Sequence, residues 1–200
     1  MTKYDKKKEE IKAAGIKSFT AYGYHKTTLE DIAGMLGMKK NSLYYYFESK
    51  EALFKELIED EIKEHISFVE NLSKQKITAD KKLIKLIHGL ISFIRERTIK
   101  YTVSLSTYLE ISKVINNNFH EYKEKECKYI QAILKEGIAD NVFKKHNTAI
   151  LACDIDYIIQ ATFRNDYVFS NFEFVNDVDF DIIYKRIDRL LKYVINGIKN

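Results

Sequence analysis

An all-α fold is what this sequence predicts, on three observations. Proline is absent from all 200 residues, where average usage of about 5% would supply roughly ten. Glycine occurs only seven times, so the chain is short of helix breakers. Apolar residues recur at spacings of three and four along most of its length, the period of a helix with one buried stripe. The composition, 46% apolar and 31% charged, supplies ample material for a core and is not that of a disordered chain. No stretch approaches the 18 or so uninterrupted apolar residues of a membrane span, and the lysines of residues 1–10 have no apolar run behind them. Neither a membrane helix nor a signal peptide is expected, and the expected location is the cytoplasm.

The first helix is expected over residues 5–22, where Ile11, Ala14, Gly15, Ser18, Phe19 and Tyr22 fall on one face. Gly23 stands where a glycine ends a helix. Thr28 is a good N-cap for a second helix, with Asp31 as the returning acid of a capping box, and Leu29, Ile32, Ala33 and Leu36 form its apolar face. Gly37 supplies a turn, and Leu43 and Phe47 pin a third helix to the first two.

Longer helices follow. Ser49 caps one running to about Leu72, with Phe54, Ile58, Ile62, Ile66 (or His65) and Val69 inward. After a polar break at 73–79, further helices are expected near 80–97, 101–113, 117–139 (ending around Gly137), 148–170 (capped by Asn147 or Thr148) and 179–197. The count is about nine, divided into a helix-turn-helix domain at 1–48 and a larger domain at 49–200.

Charge is unevenly placed. Residues 1–50 hold ten lysines, no arginine and six acids, while the remaining 150 residues balance at 23 basic and 23 acidic. All the excess positive charge lies in residues 1–50, the segment that contains two short helices joined at Gly37, the second of which carries Lys39, Lys40, Asn41, Ser42, Tyr44 and Tyr45. Basic, amide, hydroxyl and aromatic groups on a short helix after a turn are the equipment of a DNA-reading helix-turn-helix, so double-stranded DNA is the first partner to consider.

These residues carry a family resemblance. Ala21-Tyr-Gly-Tyr-His-Lys-Thr-Thr-Leu-Glu-Asp-Ile-Ala33, Leu43-Tyr-Tyr-Tyr-Phe47 and Lys50-Glu-Ala-Leu53 resemble the N-terminal domain of TetR-family transcriptional regulators over residues 8–55, about a quarter of the chain. The resemblance implies that Thr27 and Thr28 hold a phosphate at the start of the second helix. It implies that Lys39, Lys40, Asn41 and Ser42 meet base edges, that Tyr44, Tyr45 and in part Tyr46 meet phosphate or thymine methyls, and that Lys50 clamps the DNA backbone. Phe47 reads as core. The family pattern has a capping residue where Lys39 stands and glycine where Asn41 stands. Asn41 adds a side chain able to pair bidentately with adenine, and no arginine precedes Arg95, so the operator is expected to be A·T-rich at its contacted positions.

The resemblance further implies a homodimer joined by the helices near 148–170 and 179–197, a palindromic operator, and a small-molecule effector held among the middle helices. Both flanks of the Ile183/Ile187/Leu190/Leu191/Val194 stripe are apolar, more than one core face requires. Tyr101, Tyr108, Phe119, Tyr122, Tyr157, Phe163 and Arg164 are candidates to line the effector pocket, each with core packing as its plain alternative; Arg164 is expected to pair with Asp166 or an acid across the dimer. Residues 108–138 loosely resemble the branch of the family that senses long-chain acyl-CoA, the alternative to a small apolar or aromatic effector.

Rival readings find less support. Cys127 and Cys153 are far apart in sequence and read as two reduced thiols packed in helices. The five histidines show no metal-binding spacing, and neither an oxyanion site nor a glycine-rich phosphate loop is present, so no catalytic residue, metal or cofactor is assigned. Asp154 and Asp156 point about 200° apart on a helix and cannot share an ion unaided. An effector-independent DNA-binding or adaptor protein is the remaining alternative. The chain reads as a homodimeric, ligand-released repressor.

Overall fold

Thr2 and Asp5 set the first helix two residues earlier than the apolar pattern does. In the computed structural model they form a reciprocal capping box, and α1 runs Lys3–Tyr22. The structure describes residues 1–118, 120–168 and 172–200, without the side chains of 98, 101, 116–118, 120–123, 167 and 168. Among the described residues there are nine α-helices and no strand. Gly23 ends α1 at φ +88° while its N–H bonds back to Phe19 O. Tyr22, expected on the buried stripe, is exposed, because the stripe drifts past the contact with the next helices before the helix ends.

Helix α2 (Leu29–Met35) carries the predicted Thr28–Asp31 capping box, and Gly37 turns the chain at φ +60° into α3 (Lys40–Tyr44). Lys39 makes no side-chain cap, as a cationic residue must fail to do. The α4 helix (Lys50–Ser73) is capped by Ser49, whose hydroxyl accepts the Ala52 N–H at 3.1 Å. Ile11, Phe19, Leu29, Ile32, Leu43 and Phe47 close over Leu53, Phe54 and Leu57 as one apolar cluster. Leu43 is wholly buried, and truncating such a residue costs about 2–5 kcal/mol.

The larger cluster is built by α5 (Ala79–Tyr101), α7 (His120–Ala139), α8 (Thr148–Val168) and α9 (Phe180–Ile198), with the end of α4. Helix α6 (Leu105–Asn118) turns Ile111, Val114 and Ile115 onto the first cluster instead. One expectation is corrected here. Ile58, Ile62 and Ile66 of α4 are half-buried, and Leu53, Leu57 and Leu72 take the inward positions, because the middle of α4 faces a cavity. Helix α7 ends at Ala139, the expected bound, so Gly137 lies within its last turn rather than after it. The space a Cβ would take there is filled by the Phe143 ring, 2.1 Å from where that carbon would stand.

Cys127 and Cys153 are also closer than their separation in sequence suggests: burial, followed by the neighbouring Cys153 thiol, pushes the Cys127 thiol up to about 12, while Cys153 itself is exposed rather than packed. Among the described residues no helix is long and apolar enough to cross a membrane.

Candidate nucleic-acid interface

Thr28 and Asp31 fix the start of α2. The Asp31 carboxylate accepts the Thr28 hydroxyl at 2.6 Å and the Thr28 N–H at 2.9 Å, and the Thr28 hydroxyl oxygen accepts the Asp31 N–H. These bonds hold the Asp31 carboxyl below its ordinary range. Thr28 remains exposed beside this cap. Thr27 does not: it is 1% exposed, and its hydroxyl donates inward to Gly23 O and Ser18 O. Its side chain locks the α1–α2 turn and is turned away from any phosphate.

Lys39, Lys40, Asn41, Ser42, Tyr44 and Tyr45, on α3 and its two caps, are all exposed, while Leu43 among them is wholly buried. Tyr46 is half-buried, stacked on Tyr4 of α1 at a centroid distance of 4.9 Å. Lys40 is engaged already: its ammonium lies 3.2 Å from the Glu30 carboxylate of α2. Glu30 was not singled out by the sequence, because a pair ten residues apart across a turn depends on how the two helices cross.

Lys50 departs from its expected role. Its ammonium donates to Tyr24 O at 3.0 Å and stands 4.4 Å from the centre of the Tyr24 ring. Tyr24 in turn donates its phenol to Glu51, and burial followed by that carboxylate pushes the Tyr24 hydroxyl up to about 12. In this state Lys50 ties the first turn of α4 to the α1–α2 loop, and it meets a phosphate only by leaving these contacts. Tyr24 lay within the family-like stretch 21–33 but was given no role of its own from the sequence.

A separate cavity of about 300 Å³ opens along the middle of α4. Ile58, Ile62, Ile66, Leu90, Phe93 and Ile94 make its apolar walls, Ile115 of α6 reaches it, and Glu126, Tyr129 and Gln160 bring polar atoms from α7 and α8. His65 lies on its wall with Nε2 3.2 Å from Glu126, while its buried Nδ1 has no hydrogen-bond partner. Gln160 is held by the buried Asp156, to which it donates at 2.9 and 3.1 Å. Mostly apolar walls with a few directed polar groups suit a small organic ligand.

Among the residues chosen from sequence whose side chains are described, none lines this cavity. Phe163 is buried in the larger core, where α8 and α9 close on it, and Tyr157 is 66% exposed on the outer face of α8. Tyr108 packs against the larger core with its hydroxyl on Ser112, and burial pushes that hydroxyl up. Arg164 is exposed, and the Asp166 carboxylate is taken by Arg186 of α9 at 2.7 and 2.8 Å. The expected Arg164–Asp166 pair is therefore not formed. Phe119 and the side chains of Tyr101 and Tyr122 lie outside the described residues. The cavity was missed because its walls are isoleucines and leucines, which read as core on any amphipathic helix. Among the described residues no cluster of His, Cys, Asp or Glu is arranged to hold a metal ion.

Residues 11–57 match the family of bacterial regulatory proteins, tetR family. The biofilm operon icaADBC HTH-type negative transcriptional regulator IcaR of Staphylococcus aureus is 29% identical over 164 residues, covering 80% of this chain and 87% of that protein. The HTH-type transcriptional regulator RutR of Escherichia coli is 48% identical over 48 residues, 24% of this chain and 23% of that protein. Among solved structures, a transcriptional regulator from Cytophaga hutchinsonii superposes with a TM-score of 0.73 at 26% identity, covering 97% of this chain and 99% of that one. A TetR transcription regulator from Haloarcula marismortui reaches 0.76 at 16% identity over 98% and 100% of the two chains, a likeness of fold.

Proposed function

From the premise that the chain belongs to the TetR family of transcriptional regulators, which are not enzymes, we propose that it is a homodimeric repressor that binds a palindromic operator and is released by a small apolar or aromatic effector. The observation that carries this reading is the exposed surface of Lys39, Lys40, Asn41, Ser42, Tyr44 and Tyr45 on a short helix fixed by the Thr28 cap and the Gly37 turn. Lys39 and Lys40 supply charge for phosphates, and Asn41 and Ser42 supply groups for base edges, with Asn41 favouring adenine. In this reading Thr28, Tyr44, Tyr45 and Tyr46 border the same contact and position it. The negative regulation in the name of IcaR supports repression.

Residues 1–48 read DNA in this proposal, and residues 49–200 carry the effector cavity and the dimer contact. Exposed Ile158, Ile182, Leu190 and Tyr193 on α8 and α9 support a second copy of the chain as the cover of that face. Such a dimer presents two α3 helices about 34 Å apart, one turn of DNA. The cavity beside Ile62 and Phe93 is the effector site. An effector releases the operator only so far as it binds the free and DNA-bound arrangements unequally. A cytoplasmic location accords with these roles.

The test combines selection of binding sites from random DNA with native mass spectrometry of the purified protein. A dimer that enriches a palindrome with A·T at the positions Asn41 contacts is the expected result, and an adduct mass identifies the effector class, acyl-CoA included. A monomer, or a protein that enriches no sequence, overturns the proposal. Asn41→Ala is expected to relax the consensus, and an unchanged consensus sinks its base-reading role.

A further inference from the structure

The structure points to a second DNA-contacting surface on the first turn of α1: we propose that Lys3 and Tyr4, docked against the residues that follow α3, meet the backbone phosphates flanking the bases that α3 reads. This rests on the DNA-binding reading above, and it concerns residues ahead of the 11–57 segment that matches the family.

The turn is built to hold one orientation. Asp5 N–H donates to the Thr2 hydroxyl at 3.1 Å, and Thr2 N–H donates to the Asp5 carboxylate at 2.7 Å. That reciprocal cap stops the helix start from fraying. Tyr4 then stacks on Tyr46 at 4.9 Å, with the planes 24° apart, and meets Tyr45 edge-on at 5.8 Å. One turn further, the Lys8 ammonium stands 5.1 Å from the centre of the Phe47 ring and pairs with Glu56 at 2.7 Å. Two successive turns of α1 are therefore fastened to residues 45–47, so the exposed rings of Tyr44 and Tyr45 continue into Tyr4 without a gap.

The charges on this turn select the partner. Lys7 and Lys8 are matched by Glu10 and Glu56, whereas Lys3 and Lys6 have no acidic partner among the described residues. Successive helical residues project about 100° apart, so Lys3 lies on one flank of Tyr4 and the acidic Asp5 on the other. Among the described residues the hydroxyls of Tyr4, Tyr44 and Tyr45 have no hydrogen-bond partner either. An unmatched ammonium beside unpaired phenol donors, continuous with a reading helix, is the chemistry that grips phosphate oxygens without reading sequence. Because the turn is already ordered, the contact loses less entropy than a flexible arm gripping the same phosphates.

The experiment uses the full chain on the sequence it enriches from random DNA, with affinity measured by fluorescence anisotropy across a series of salt concentrations. Lys3→Ala is expected to leave the consensus unchanged and to lower the slope of log affinity against log salt by about 0.9 per bound protomer. Tyr4→Ala is expected to weaken binding to all sequences alike, and Tyr4→Phe, which keeps the stack and loses the hydroxyl, to fall between it and wild type. Lys3 is exposed, and equal thermal unfolding of Lys3→Ala and wild type excludes a folding defect. An unchanged slope in Lys3→Ala overturns the proposal, as does a changed consensus, which means base reading instead. If the wild type enriches a site and only these variants fail to respond, the DNA-binding reading stands and this inference falls. If the wild type enriches nothing, both fall.

Discussion

The carboxylate of Glu110, on α6, accepts the backbone N–H of His25 at 2.7 Å. This bond joins the helix that reaches the cavity to the turn that leads into α2. Glu110 lies where any side chain on Gly23 would point: a Cβ there would stand 2.5 Å from one carboxylate oxygen. The glycine thus serves two ends, a backbone at φ +88° and ψ 164° that side chains avoid, and a slot for the acid.

Gly23→Ala is accordingly expected to lower stability by about 1–3 kcal/mol through backbone strain, with a further loss from displacing Glu110. Glu110→Ala alone is expected to cost about 1 kcal/mol, the worth of an exposed hydrogen bond. In the double variant the two costs should sum to less than the singles, since the collision is gone and only the strain remains. Urea unfolding of the four proteins measures this, and strict additivity contradicts the shared slot.

Glu30 holds Lys40 at 3.2 Å with both side chains largely in solvent, so the pair contributes little to stability, about 0–1 kcal/mol. Its effect should fall on DNA. Glu30→Gln is expected to tighten binding to all sequences and leave the melting temperature within a degree or two of wild type, because Lys40 no longer has to leave a carboxylate to reach the operator. Anisotropy titrations at fixed salt check it, and weaker binding refutes it.

Gly137→Ala tests the packing of α7. The added carbon would stand 2.1 Å from the Phe143 ring and 2.9 Å from Ala79 Cβ, and Phe143 is almost wholly buried and cannot swing away. Overpacking of this kind costs about 1–3 kcal/mol, against the small gain that alanine ordinarily brings inside a helix. A stabilised Gly137→Ala protein in thermal unfolding would show that Phe143 has room to move.

Acid stability should depend on Asp80. The Lys199 ammonium and then the Thr78 hydroxyl hold its carboxyl down at about 2, against an ordinary 3.8. A carboxyl depressed in the folded state stabilises fully above its unfolded value, and that stabilisation is lost as pH falls through the folded one. The contribution, about 2 kcal/mol, should be present at pH 5, mostly lost by pH 2 and gone below it. Asp80→Asn is expected to be less stable than wild type at pH 5 and to converge with it near pH 2. Urea unfolding at the two pH values decides this, and an equal gap at both refutes it.

Local signals were legible in the sequence, and long-range pairings were not. Thr28, Asp31, Ser49, Gly23 and Gly37 act within a few residues of themselves, and each caps or turns the chain as its type dictates. The exposed face of α3 followed from Leu43 and Phe47 alone. Asp166 found Arg186 twenty residues on rather than Arg164 nearby, Lys50 turned toward Tyr24, and Cys127 met Cys153 across two helices. These depend on how whole helices cross, which no periodicity encodes. Gly137 shows both limits at once: a glycine near a helix end looks like a stop, and here it is a seat for an aromatic ring.

Helix α4 is gripped at its two ends, by Leu53, Phe54 and Leu57 in one apolar cluster and by Val69 and Leu72 in the other, with half-buried isoleucines between. Its 24 residues make a rod about 36 Å long. A tilt of only about 5° carries one end of such a rod roughly 3 Å relative to the other, by the geometry of a stiff helix. Three ångströms is the length of one hydrogen bond. If the void beside Ile62 takes a ligand as proposed, a small wedge at mid-length would be enough to make or break a bond at the tip.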